Sequence, residues 1–199
     1  MLYQQGIGWV TRKAIGLATI TLKIREAPSA DDKTVYQIDI DQIVTGGIKG
    51  TSEARTTDWQ ERGHKDHIFG SVVGRSRLLR GSQGEDGKFR PNVQVQTELG
   101  GDGVDEAKIQ KFLRGEILLD GSEGSGFLAD DAGEDLGQGQ GLFLQTWVVN
   151  QDAGWTAEQV WGFEIVNDQR HYTRRVVIVK NGKYQLARLV YSYQGSREE

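Results

Sequence analysis

The sequence predicts an all-β fold, a single antiparallel barrel of about nine or ten strands with one short helix and a Gly- and Asp-rich loop. Three observations carry that expectation. The C-terminal stretch HYTRRVVIVKNGKYQLARLVYSY (171–193) is two β-rich runs joined by Asn181-Gly182. An Asn-Gly pair between alternating apolar runs marks a two-residue hairpin, because both central residues need φ > 0. Two further runs, TVYQIDIDQIV (34–44) and HIFGSVVGRSRLL (67–79), have the alternation and glycine spacing of strands. Glycine contributes 27 of the 199 residues and proline only two, which suits many strands with tight turns and bulges better than a disordered linker.

In chain order, 6–25 (GIGWVTRKAIGLATITLKIR) reads as a first strand region in which Gly6, Gly8 and Gly16 allow bending, followed by a turn at 27–33. Along 34–44, Tyr36, Ile38, Ile40, Gln42 and Val44 share one face of a strand. Thr45-Gly46-Gly47 turns the chain into a more polar strand at 48–59, and DWQERGHKDH (58–67) reads as a charged turn around Gly63. Gly70 and Gly74 fall on one face of strand 67–79, a spacing that suggests the coiling needed to close a barrel. After a loop at 81–88, FRPNVQVQTE (89–98) is a short strand with Pro91 at its start or on an edge.

Ile109, Phe112 and Leu113 stand at helical spacing behind Asp105 and Glu106, predicting a short helix within 103–114. The stretch 120–141 is Gly-, Asp- and Glu-rich and is expected to be a flexible loop. Phe127 and Leu128 stand inside it as an apolar pair without an evident partner, the tip of a lid if the loop has a function. Strands at 142–149 and 158–166 lead to the final hairpin. Counting outward from its turn pairs Val179 with Tyr184, Val177 with Leu186, and Arg175 with Arg188. One domain over 1–199 follows, since all-β domains of this length are usually single.

Net charge is −4 and the pI about 5.5, with acidic and basic residues intermixed, so a nucleic-acid partner has little electrostatic support. There is no cysteine, hence no disulfide framework or thiol chemistry. No apolar run approaches the roughly 18–20 residues that span a bilayer. MLYQQGIGWVTRK lacks the apolar core of a signal peptide, so a cytoplasmic location without membrane insertion is expected. Phosphate loops, dinucleotide fingerprints and nucleophile elbows are absent, and no cofactor is called for. His64 and His67 flank Lys65-Asp66 at a generic spacing, and no metal is assigned to them.

The run IDIDQIVTGGIKGTSEARTTDWQERGHKDHIFGSVVGRSR, with WTAEQVWGFE and RRVVIVKNGKYQLARLVYSY, resembles a group of small fungal lipocalin-like proteins over nearly the whole chain except 120–141. The resemblance implies a calycin-type β-barrel, the class of lipocalins and fatty-acid-binding proteins. It also implies a first-strand Trp packed by a last-strand Arg, roles that Trp9 and Arg188 or Arg175 would fill. The Gly-x-Trp signature of that class is altered here to Gly6-Ile7-Gly8-Trp9.

Candidate ligand-binding residues are Glu53, Arg55, Trp59, Arg75, Trp147, Trp161, Phe163, Arg175, Tyr184 and Arg188. Glu53, Arg55, Thr57 and Trp59 share one face of a strand that is either solvated or lines a wet lumen. Arg175 and Arg188, directly opposite in the hairpin, repel unless a carboxylate or a ligand anion lies between them. Glu53, Asp39 and Glu164 are the candidate carboxylates. The C-terminal aromatics suit a packed core or a lumen equally. The expected function is enclosure of a small, largely apolar, oxygenated or anionic organic molecule. The alternative is a cofactor-free cyclase or isomerase of a fungal natural-product pathway, such as a pericyclase, working in the same hollow.

Overall fold

The structure, a computed structural model, describes residues 19–45, 50–66, 69–100, 103–129 and 136–196. Among these residues it is antiparallel β with one short α-helix. The strands are β1 (Ile20–Pro28), β2 (Tyr36–Val44), β3 (Ser52–Thr56), β4 (Arg62–Asp66), β5 (Gly70–Gln83), β6 (Phe89–Pro91), β7 (Gln140–Asn150), β8 (Trp155–Val166), β9 (Gln169–Lys180) and β10 (Lys183–Tyr191). Helix α1 spans Glu106–Leu113. Strands β1-β2-β3 form a small sheet, and β10-β9-β8-β7-β5-β4 form a larger one to which β6 adds on β5. No strand ladder closes these sheets into a barrel among the described residues.

The two sheets are linked by the chain itself. Just beyond β3, Asp58 bridges Arg77 of β5, and the Trp59 N–H donates to the Ser76 carbonyl at 2.9 Å. One stretch of chain therefore pairs with β2 first and with β5 next, and it bends between them at Trp59, whose φ is +61°. Left-handed backbone at a bulky residue is strained. Here the indole is held by the guanidinium groups of Arg77 and Arg75, 4.3 and 4.6 Å from its ring centroid.

The final hairpin has the expected register: Val179 pairs with Tyr184, Val177 with Leu186, and Arg175 with Arg188. Asn181 and Gly182 both take positive φ, as a two-residue turn between right-twisted strands requires. Helix α1 forms where its apolar spacing places it. Asp105 caps it, accepting from the Lys108 N–H at 2.9 Å, and Ile109, Phe112 and Leu113 are buried.

The larger sheet is covered on both faces. One face carries Arg75, Leu79, Phe143, Val160, Val177, Val179 and Leu186, and α1, Val93, Val95, Ile117 and Phe127 pack onto this side. The other carries Leu78, Leu144, Trp161 and Tyr172, which meet Leu22, Tyr36, Ile38 and Ile40 of the small sheet. Each large apolar side chain buried this way contributes about 1.5–3 kcal/mol. No helix among the described residues is long and apolar enough to cross a membrane.

Several elements differ from expectation. The segment read as a charged turn holds β4, an edge strand on which Arg62, His64 and Lys65 are exposed, and exposed charge is a common protection for an unpaired edge. The strand expected over 89–98 stops at Pro91, which has no N–H to continue a ladder. Beyond it the backbone is satisfied by side chains instead: the Gln96 and Thr97 N–H groups donate to Glu158 Oε2 at 2.8 and 3.0 Å, and the Gln94 carbonyl accepts from Gln145 Nε2 at 2.8 Å. Phe127, read as a loop tip, is 3% exposed and packs edge-on against Phe143, with ring centroids 5.3 Å apart. The Gly6, Gly8, Trp9 and Gly16 stretch, the Gly46-Gly47 turn, His67 and residues 130–135 of the acidic loop lie outside the described residues.

Gly162 makes the Phe127–Phe143 pair possible. A Cβ there would fall 2.9 Å from Phe127 Cδ1 and 3.0 Å from Phe143 Cδ1, so both rings rest on bare backbone. Gly162→Ala is expected to destabilise the fold by about 1–3 kcal/mol through overpacking, measured by chemical denaturation. An unchanged midpoint would mean the rings have room to shift.

Candidate ligand-binding cleft

Between the small sheet and the uncovered part of the larger one lies a cleft of about 370 Å³. Its apolar wall is Val72, Val148, Trp155 and Ala157, and Phe69 stands at the same wall. Its polar wall comprises Glu53 and Arg55 from β3, Ser76 from β5, Gln159 from β8 and Arg174 from β9. Arg62 and His64 of β4 border the opening. Alternation explains why these groups converge. Glu53 and Arg55 pair across the ladder with Ile40 and Ile38, the residues that face the larger sheet. Arg174 lies directly opposite Trp161 and diagonal to Gln159, so all three share one face.

The charges are arranged in a definite order. Arg55 forms an ion pair with Glu53, which also accepts from Gln42 Nε2 at 2.8 Å. Burial pushes the Glu53 carboxyl up, but the positive charges of Arg55 and Arg174 outweigh it and hold the group below the usual glutamate range. Arg62 is held by both carboxylate oxygens of Asp58, at 2.7 Å each, and this pairing lowers Asp58 to about 2. Arg174 has no carboxylate partner or hydrogen bond among the described residues; its guanidinium lies 4.4 Å from the Trp161 ring centroid. Gln159 is 5% exposed and its Oε1 has no hydrogen-bond partner, and the Trp155 and Trp161 indole N–H groups are likewise unpaired. Buried polar atoms left this way are uncommon and call for a partner.

Three of the sequence-selected residues border the cleft: Glu53, Arg55 and Arg75. Arg75 does so while its guanidinium turns to the helix-covered face, stacking between Trp59 and Trp147 and donating to Gln96 Oε1 at 2.9 Å. Trp161 lies beneath Arg55 and Arg174. Trp59 and Trp147 belong to the arginine stack instead, Tyr184 packs on the helix cluster, and Phe163 sits against Tyr172 with centroids 5.1 Å apart.

Arg175 and Arg188 meet Glu164, one of the carboxylates named from the sequence, and lie away from the cleft. Arg175 Nε and Nη2 donate to Glu164 Oε1 and Oε2 at 2.9 and 2.7 Å, and Arg188 Nη2 donates to Oε2 at 2.7 Å. Thr173 Oγ1 donates to Oε1 at 2.6 Å, while Arg175 Nη1 reaches the carbonyls of Phe112 and Ile117 at 2.9 and 2.7 Å. Of the other cleft residues, Arg174 and Trp155 belong to the arginine and aromatic groups weighed from the sequence but were not selected as binding residues, and Gln159 and Val72 were not singled out. The Arg174-Arg175 pair was the available signal, since neighbours in a strand face opposite sides. Among the described residues no group of three potential metal ligands comes together.

Comparison with protein-family models, curated proteins and solved structures returned no match to this chain.

Burial pushes Glu164 up, but the hydrogen bonds and charge of Arg175, with Thr173 and Arg188, overcome this and leave its carboxyl below the ordinary value of 4.5. Its contribution to stability is therefore present above the ordinary glutamate range and is lost as pH falls through the depressed folded value. Glu158 runs the other way: burial dominates and raises it, so its contribution is lost as pH rises. Glu164→Gln should cost about 3–5 kcal/mol at neutral pH by leaving Arg175 buried and uncompensated. The stability gap between native protein and variant should begin to shrink as pH falls below 4.5 and close only below the depressed folded value, and a constant gap would exclude the charge as the cause.

Proposed function

We propose that this protein binds a small, largely apolar organic molecule carrying an oxygen function, held in the cleft between the two sheets, and that it acts as a binding or carrier module. The supporting observation is the cleft wall itself: Val72, Val148, Trp155 and Ala157 form an apolar surface beside the half-buried guanidinium of Arg174, which makes no hydrogen bond among the described residues. A ligand with an oxygen function would meet the Arg174 guanidinium, and Val72, Val148, Trp155 and Ala157 would bury its body. The finer fold assignment, a calycin-like and lipocalin-like barrel, is part of the same proposal. It is supported by the strand order within each sheet, β1-β2-β3 and β5-β7-β8-β9-β10, in which successive long strands are neighbours as in an up-and-down barrel, and by the Asp58–Arg77 bridge between the sheets.

The dye 1-anilinonaphthalene-8-sulfonate serves as an apolar probe. Fluorescence titration should show saturable binding at one site. Val72→Trp, which puts bulk into the cleft, should weaken that binding about tenfold or more by removing the space for the aryl rings, with thermal unfolding little changed. Binding that does not saturate, or that ignores this substitution in a folded variant, would remove the basis for the proposal.

A further inference from the structure

The charged groups of the cleft fall into two sets. On the floor, the Glu53 carboxylate is paired with Arg55 and feels the positive charge of Arg174 as well, and the two hold it below the usual glutamate range. One carboxylate against two guanidinium groups leaves one formal positive charge, and groups of these kinds keep their charge around neutral pH. At the opening stand Gln60, Arg62 and His64, all exposed. Arg62 is held by both oxygens of Asp58, whose carboxyl is lowered to about 2, so that pair is constant too. The Arg75 guanidinium serves the opposite face.

His64 differs from all of these, because histidine is the side chain whose charge ordinarily changes between about pH 5 and 8. Its place follows from register. It lies opposite Val72 of β5, which belongs to the apolar wall, and directly opposite residues share a face. The imidazole therefore borders the cleft beside that wall, near enough to act electrostatically on Glu53. The described charged groups around it are Glu53 and Arg55 from β3, Arg62 and Lys65 from β4, Arg174 from β9, and Asp152 in the turn after β7, which shares a shallow depression on its other side. None of those residue types ordinarily titrates between about pH 6 and 8. His171, opposite Glu164, belongs to the helix-covered face. We infer that His64 makes the cleft a pH-dependent binder of apolar anions: its protonation adds a positive charge at the mouth, so the anion is held more tightly as pH falls and released as pH rises. This inference rests on the binding function proposed above and specifies how the same site is regulated.

Two probes of one framework differ by a single charge: 1-anilinonaphthalene-8-sulfonate and its neutral parent, N-phenyl-1-naphthylamine. Fluorescence titrations of the intact protein from about pH 8 to about pH 6 cover the histidine range and stay above the pI of about 5.5. The sulfonate should bind about threefold to tenfold more tightly at the lower pH, the size expected of one added charge a few ångströms away near solvent, while the neutral probe keeps one affinity throughout. His64→Gln, at an exposed position, should leave both probes bound and abolish the pH dependence, and His171→Gln should preserve it. A sulfonate affinity that ignores pH, a dependence that survives His64→Gln, or an equal dependence for the neutral probe would overturn this inference, while the binding function stands so long as Val72→Trp weakens the dye. If the dye ignores Val72→Trp at every pH, both fail together.

Discussion

Two arginines opposite each other in a hairpin are untenable in a protein interior without a negative charge between them. The Asn181-Gly182 turn places Arg175 and Arg188 in that relation, and Glu164 on the neighbouring strand answers both. Arg175 has donors left over, and Nη1 takes the carbonyls of Phe112, at the end of α1, and Ile117 beyond it. Helix C-terminal carbonyls are short of partners and carry partial negative charge, so a buried guanidinium suits them. One ion network therefore balances the hairpin and seats α1 on the sheet. It also decides which face of the larger sheet is packed with helix and loop, and which is left to the small sheet and the cleft.

The two faces handle their polar atoms differently. On the helix-covered face, Glu158 accepts from Gln96, Thr97 and Gln145, and Glu164 accepts from two arginines and a threonine. Unpaired buried atoms occur there too, among them Trp147 Nε1, Arg188 Nε and Thr97 Oγ1. On the cleft face, Gln159 makes no hydrogen bond among the described residues and Arg174 only stacks. Leaving such groups dry costs about 1–3 kcal/mol each.

Local chemistry made part of this legible in the sequence. The hairpin register followed from two turn residues, and α1 from three apolar positions behind an acidic cap. Which side of the hairpin faced inward did not follow, because both sides are buried and both look apolar. Alternation shows a strand's two faces without saying what covers each. The strand β4 was hidden for the opposite reason: an exposed edge strand carries the charges of a turn. Phe127 was obscured by the Gly-rich composition around it, while the bare backbone of Gly162 that receives it lies well along the chain. Glu53 and Arg55 could be picked out by alternating charge. Alternation puts Arg174 and Arg175 on opposite faces, but nothing in the pattern says which of the two faces is left open.

The bend at Trp59 connects fold to site. A continuous straight strand would keep Glu53 and Arg55 in one sheet with β5, side by side with Ser76 and unable to face Gln159. Turning the chain at a left-handed residue lets β3 leave the larger sheet and cross over it, which brings its acid–arginine pair above Trp161 and Arg174. The strain is offset where it arises, by Arg75 and Arg77 on the indole and by the hydrogen bond from the Trp59 N–H to Ser76. The same arginine stack runs on to Trp147 in the middle of β7, so the corner is anchored to the sheet it leaves. The opening of the cleft is thus set by a backbone conformation that the surrounding cations enforce, and the polar groups facing it are placed by strand register.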